Sequence, residues 1–309
     1  MSAARFSSLN TIRNKSTAAS ACARRKIVVA KSAPILGVDV GEDFLDLALL
    51  LPDRATLSYH RVPLRDIKRQ VVGSIATRIA ELLNSNLKGG IALVDSPRAP
   101  RDVDCSSARM IRRMDAPRTR VIDASLRELL REKFEGKMRP LSMFPTPLAA
   151  YFAGCIAHSG CKPHLRAIAE ELLAPMIAEP VFARDGVLAG GTFTRFMLAG
   201  FAVFPALERL GMRAFESYPD LQMRLWSDGV KLPPKRAGEA LRVRQMICSR
   251  LAAAVEVANF RAPKTLDESD AAVLALSAAV SNLTGALIEL CCPPEGRFAV
   301  AFKGGAHRA

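Results

Sequence analysis

The chain has 309 residues, half of them apolar and 24% charged, with a formal charge of +14. That balance excludes a disordered protein, and the length is ample for a sizeable core or for one domain carrying an insertion. The charge predicts attraction to polyanions, but seven of the cations (Arg5, Arg13, Lys15, Arg24, Arg25, Lys26 and Lys31) precede Asp39 without one acid among them, so the remaining body is only moderately basic.

Residues 1–33 are rich in Ser, Ala, Arg and Lys. This is the composition of an organellar transit peptide, and equally of a basic disordered tail. Seven cysteines, an odd number with no C-x-x-C pair, point to free thiols in a reducing compartment, hence the cytoplasm unless the N-terminal segment directs import. The vicinal Cys291-Cys292 reads as a pair of loop or helix-end thiols.

In chain order, Ile35 to Gly41 is a strand holding one acid, Asp39, between Gly37 and Gly41. A carboxylate in apolar surroundings is costly unless it is paired, hydrogen-bonded or metal-bound. Phe44 to Leu51 predicts a second strand and Thr56 to Val62 a third, after the Pro52-Asp53 turn. The period then changes: Ile67, Val71, Ile75, Ile79 and Leu82 or Leu83 define an amphipathic helix about 20 residues long. Ile91 to Asp95 is a short apolar strand ending in an acid ahead of Ser96-Pro97. If it lies parallel to the first strand and beside it, Asp39 and Asp95 face one cleft, where open α/β sheets hold their ligands.

Residues 98–139 begin with Arg98, Arg101, Arg109, Arg112 and Arg113, either a solvated excursion or a loop that holds substrate phosphates, and a helical piece covers about Ala124 to Phe134. Residues 148–210 read as mainly helical, so about 98–210 is expected to be an insertion. Phe193, Phe196, Phe201 and Phe204 there read as core, and three tyrosines with one tryptophan offer little material for base stacking. Arg213 to Pro219 is a strand-like run containing Glu216, and Arg236 to Ala258 an amphipathic helix with Arg242, Arg244 and Arg250 on its polar side. The last helix is expected from about Glu268 to Leu290, with Asp267 and Asp270 near its start. Its uncharged part, Ala271 to Ile288, contains Ser277, Ser281, Asn282 and Thr284, which suits a buried helix rather than a membrane span.

Four separated acids, Asp39, Asp95, Glu216 and Asp270, thus occupy comparable places and form the candidate catalytic set. Two like charges at about 4 Å repel by roughly 4 kcal/mol at an effective dielectric near 20, and a divalent cation reverses that cost. Asp39, Asp95, Asp267 and Asp270 are the candidate ligands for Mg²⁺ or Mn²⁺, Asp267 and Asp270 being one helical turn apart. Each acid also has an ordinary reading: a turn cap, a strand end, a pair with Arg213, a helix cap. Cys155, His158, Cys161 and His164 have residue types that suit zinc, but their even spacing would spread them over about 13 Å of helix.

Gly37-Val38-Asp39-Val40-Gly41, Leu93-Val94-Asp95-Ser96-Pro97, Met143 to Pro147, Phe215 to Pro219 and Asp270 to Ala275, in this order, resemble the motifs of the DUF429 family over roughly residues 35 to 302. The resemblance implies a ribonuclease H-like α/β fold, here over 34–303, and a predicted nuclease whose site uses Asp39, Asp95 or Glu216, and Asp270. The front motif also resembles the phosphate hairpin of sugar kinases and actin-like ATPases, although no Walker-type loop is present. The expectations are a metal-dependent nuclease acting on nucleic acid, a non-catalytic binding module on the same fold, or a phosphotransferase. Oligomeric state stays open.

Overall fold

The strands of the centre are runs of five to seven residues, most of them largely apolar. In the computed structural model these runs are β2 (Ile35–Val40), β3 (Phe44–Leu50), β4 (Leu57–Pro63) and β5 (Ile91–Asp95). The structure describes residues 22–53, 56–98, 121–134, 162–172, 192–292 and 296–303. Before them comes β1 (Ala23–Lys26); the later strands are β6 (Arg213–Glu216), β7 (Leu287–Cys292) and β8 (Gly296–Ala301). All eight lie in one mixed sheet of order β1-β7-β8-β6-β5-β2-β3-β4. Strand β2 is antiparallel to β3 and parallel to β5, and β5 is parallel to β6. The run β4-β3-β2-β5-β6, with only β3 reversed, is the ribonuclease H-like arrangement the sequence led us to expect.

Helices cover both faces. On one lie α1 (Val71–Leu83), α3 (Pro163–Leu172) and α4 (Thr192–Arg209), packed on Val38, Leu47, Ala92 and Val94. Helix α1 is shorter than the expected 20 residues because Gln70 precedes it in a left-handed conformation and Asn84 ends it in another. On the other face lie α5 (Pro219–Trp226), α6 (Ala240–Ala254) and α7 (Leu266–Thr284), packed on Ile35, Ala48, Leu93 and Phe215. Helix α2 (Val121–Phe134) closes a third cluster with Leu290, Phe298 and Val300.

Several boundaries differ from the sequence reading. Helices α3 and α4, expected within an insertion, form part of the main layer because Leu165, Leu198, Phe201 and Phe204 are buried toward the sheet. The last helix stops at Thr284, where Gly285 takes φ 66°, and Leu287–Cys292 continues as a strand that includes Cys291 and Cys292. Pro219, read as the end of a motif, instead occupies the first turn of α5. The basic tail expected over 1–33 is too long: β1 pairs with β7 from Ala23↔Cys291 to Lys26↔Ile288, and Cys22 is joined to Cys292 as a disulfide with Cα atoms 4.6 Å apart. The seven thiols are therefore not all free. No helix among the described residues is long and apolar enough to cross a membrane.

Candidate metal centre

The hairpin between β2 and β3 sets the geometry. Gly41 N donates to Phe44 O at 2.8 Å, and that turn fixes the register so that Asp39 lies opposite Asp46. Asp39 is also level with Asp95 on β5, and Asp46 with Arg61 on β4. Arg61, Asp46, Asp39 and Asp95 are thus cross-strand neighbours in a single row, and cross-strand neighbours share a face of the sheet. As expected, the two strands are parallel neighbours and Asp39 and Asp95 lie side by side on one face at their carboxyl ends.

Helix α7 completes the arrangement. Gly37, two residues before Asp39 and on the same face, lets the helix approach so closely that a Cβ there would stand 2.8 Å from Ala275 N. The helix start is defined by Thr265, whose Oγ1 accepts from Glu268 N at 3.0 Å. Asp267 and Asp270 follow in the opening turns. Among the described residues, one group of three acids has ligand oxygens mutually within 4.8 Å: Asp39, Asp46 and Asp267. Asp39 and Asp46 are buried, and Asp267 is exposed at the mouth.

Three cations surround the acids. Arg61 donates to both oxygens of Asp46 at 2.9 Å and reaches Asp267 Oδ2 at 3.4 Å. Lys235 Nζ lies 2.5 Å from Asp270 Oδ2. Arg244 Nε lies 3.5 Å from Asp270 Oδ1, at the limit of a hydrogen bond. Even so, four of the carboxyls, those of Asp39, Asp46, Asp95 and Asp270, are shifted upward. Burial, then repulsion from Asp95 and Asp270, pushes the Asp39 carboxyl well above the ordinary range. Burial, then Asp270, pushes Asp95 up to about 7, against the pull of Lys235 and a hydrogen bond from Asp39. Burial also raises Asp46 despite Arg61, and Asp270 despite Lys235. Desolvation works against the charge of Lys235, but Asp270, Asp39 and Asp95 outweigh it and raise its pKa.

The donor set suits a hard divalent cation. All three clustered groups offer oxygen, and octahedral coordination at about 2.1 Å spaces ligand oxygens about 3–4 Å apart, inside the observed limit. A cation would also offset the burial and the mutual repulsion that raise Asp39 and Asp95.

Of the five predicted acids, Asp39 and Asp267 belong to the three-acid group, Asp95 lies beside Asp39 on the next strand, and Glu216 stands apart. Its register partner is Val94, so it points to the face opposite Asp95, where Tyr218 Oη lies 3.0 Å from it and 2.9 Å from Asp123 with a single proton to donate between them. Asp270 stands behind the three-acid group rather than in it, held by Lys235 and Arg244. Arg98 is engaged within the fold: its Nη1 donates to Ala214 O at 3.0 Å, its Nη2 pairs with Glu208, and its guanidinium lies over the Phe204 ring. Arg101, Arg109, Arg112 and Arg113 lie outside the described residues, as do Cys155, His158 and Cys161. His164 is buried, with Nε2–H donating to Glu42 O at 2.9 Å.

Sequence reasoning missed Asp46, Arg61, Lys235 and Arg244. The first pair had a usable signal, since a hairpin turn at Gly41–Phe44 dictates Asp39↔Asp46. Arg244 had one too. Ala240, Arg244, Ile247, Cys248 and Leu251 share one helical stripe, so Arg244 lies on the buried side of α6 and not on the polar side first assigned to it. Lys235 comes from an irregular loop, and nothing local marks it.

No protein-family model and no curated protein matches the chain. Among solved structures, T. thermophilus RuvC in complex with Holliday junction substrate is similar at a TM-score of 0.34 and 14% identity, over 82% of this chain and 97% of that one.

Proposed function

We propose that this protein is a Mg²⁺- or Mn²⁺-dependent phosphodiesterase that hydrolyses nucleic acid, as its resemblance to the DUF429 motifs implies. The observation that carries the proposal is the three-acid group, Asp39, Asp46 and Asp267, set beside Asp95 at the ends of parallel strands. These three would hold the cation, and Asp95 and Asp270 would border it. Bound there, a divalent cation supplies Lewis acidity toward a phosphoryl oxygen and makes water a nucleophile at neutral pH. Cation binding would favour the ionised form of Asp39, whose carboxyl burial now pushes up. Asp95, with a pKa near 7, can take up or release a proton at its carboxyl in the working pH range. Lys235 and Arg61 keep the site close to neutral when no cation is bound.

That last feature also favours a second reading. Arg61 and Lys235 already neutralise Asp46 and Asp270, as they would in a non-catalytic binding module whose acids are structural. Calorimetry with Mn²⁺ separates the two readings when combined with cleavage assays on single- and double-stranded DNA and RNA. The enzyme reading expects binding by the wild type and a loss of more than 100-fold in activity for Asp39→Asn, because even outer-shell partners of a metal are worth about 10–100-fold. Equal Mn²⁺ binding by both proteins, or none by either with every substrate intact, overturns it.

A further inference from the structure

Arg244 is a buried guanidinium, 2% exposed, whose Nε and Nη1 make no hydrogen bond. A buried charged donor without an acceptor is costly. This one lines a cleft of about 530 Å³ together with Arg224, Lys231 and Lys235, and Asp220 is the one acid among the described residues on its wall. Asp220 pairs with Arg224 across one helical turn at 2.8 Å, so the other cations of the wall remain in excess. Lys235 and Arg244 both also pair with the buried Asp270, so two residues of the cleft wall are shared with the acidic site.

The lining selects among anions. A volume of this size suits a nucleotide unit and is far larger than a lone phosphate needs. The remaining wall is apolar: Val230, Leu232, Pro233 and Pro234. No aromatic side chain is among the described residues that line it, so there is no platform for a base. Arginine forks and lysines recognise phosphate, while flat apolar surface suits the sugar.

We propose that this cleft binds the sugar–phosphate backbone of a nucleic acid strand, with Arg244 and Lys231 on successive phosphates, and leads that strand past the carboxylates. Recognition there is independent of sequence. The inference deepens the phosphodiesterase reading and rests on its substrate class, but it requires binding alone and is tested without divalent metal.

The test measures fluorescence anisotropy of fluorescein-labelled oligothymidylate and oligouridylate, about 12 nucleotides long, with the full chain in EDTA over a range of salt. Arg224→Gln/Lys231→Gln is expected to weaken binding at least tenfold and to flatten the salt dependence by about 0.7, the value for the one phosphate that Lys231 holds on a single strand. Lys68→Gln/Arg69→Gln removes the same charge ahead of α1, beside α3 on the other side of the sheet, and is expected to change affinity by less than about twofold. Equal losses from the two double variants, or no loss from the first, overturns the proposal. So does tight binding of ATP or pyrophosphate by a protein that binds neither oligonucleotide. Arg244→Gln should also lose at least tenfold, with partial rescue in Arg244→Lys; if these fail to fold, the exposed pair decides. Because Mn²⁺ is absent, loss of metal binding or of cleavage sinks the enzyme reading without touching this result, and an unaffected double variant sinks this one while leaving the enzyme reading in place.

Discussion

At the scale of single residues, Asp95 links the site to pH. Its carboxyl is raised to about 7 in the folded protein, from about 3.9 in an unfolded chain. Between those values the folded state carries the additional proton, so this group makes stability fall as pH rises from about 4 to about 7. Asp39, raised in the same direction, adds to the effect. The metal-free protein should therefore melt several degrees lower at pH 8 than at pH 5.5, since about 1 kcal/mol corresponds to about 2–4 °C for chains somewhat shorter than this one. Mn²⁺ should restore the loss at pH 8 and do little at pH 5.5, and Asp95→Asn should shrink the pH effect. Scanning calorimetry at the two pH values checks all three outcomes. A melting temperature that climbs steadily toward pH 8 without metal contradicts the assigned protonation. Asp39 and Asp95 were legible in the sequence because an acid inside an apolar run is conspicuous. Asp46 was not, since an acid in an alternating strand looks like an ordinary solvent-facing position until its cross-strand partner is known.

At the scale of elements, the contact between β2 and α7 decides whether the acids meet. Gly37→Ala would place a methyl group 2.8 Å from Ala275 N and press on the carbonyl of Ala271, backbone that cannot rotate aside. Overpacking of this kind typically costs about 1–3 kcal/mol. Because the displaced helix carries Asp267 and Asp270, the variant should lose Mn²⁺ affinity as well as thermal stability, whereas Ala76→Gly in α1 on the opposite face should lose stability alone. Parallel melting and calorimetry of the two variants test this. The strands and the helical periods of α1 and α7 were readable because burial on one side imposes a pattern. The border between α7 and β7 was not, because Leu287 to Leu290 is apolar enough for either state and the stop depends on the left-handed conformation of Gly285.

At the scale of the whole molecule, the sheet is fastened across its far edge. The disulfide between Cys22 and Cys292 spans 270 positions of sequence, and a crosslink over so long a loop typically contributes about 2–4 kcal/mol by restricting the unfolded chain. Cys292→Ser, or the wild type in dithiothreitol, should unfold at lower urea concentration while binding Mn²⁺ with nearly unchanged affinity, because β7 and β1 stand four and five strands from β2. The sequence hid this feature: an odd cysteine count and a basic, acid-free leader argue for reduced thiols and a loose tail, and only the pairing of β1 with β7 brings the two sulfurs together.

The same bond makes nearly the entire polypeptide a closed ring. A protease that clips one peptide link anywhere between Cys22 and Cys292 yields two pieces that remain covalently tied, so a nicked sample should run as one band on a gel until reductant is added, and as two afterwards. Strand order in the sheet does not depend on which link was cut, so the clipped protein should keep its acids in place.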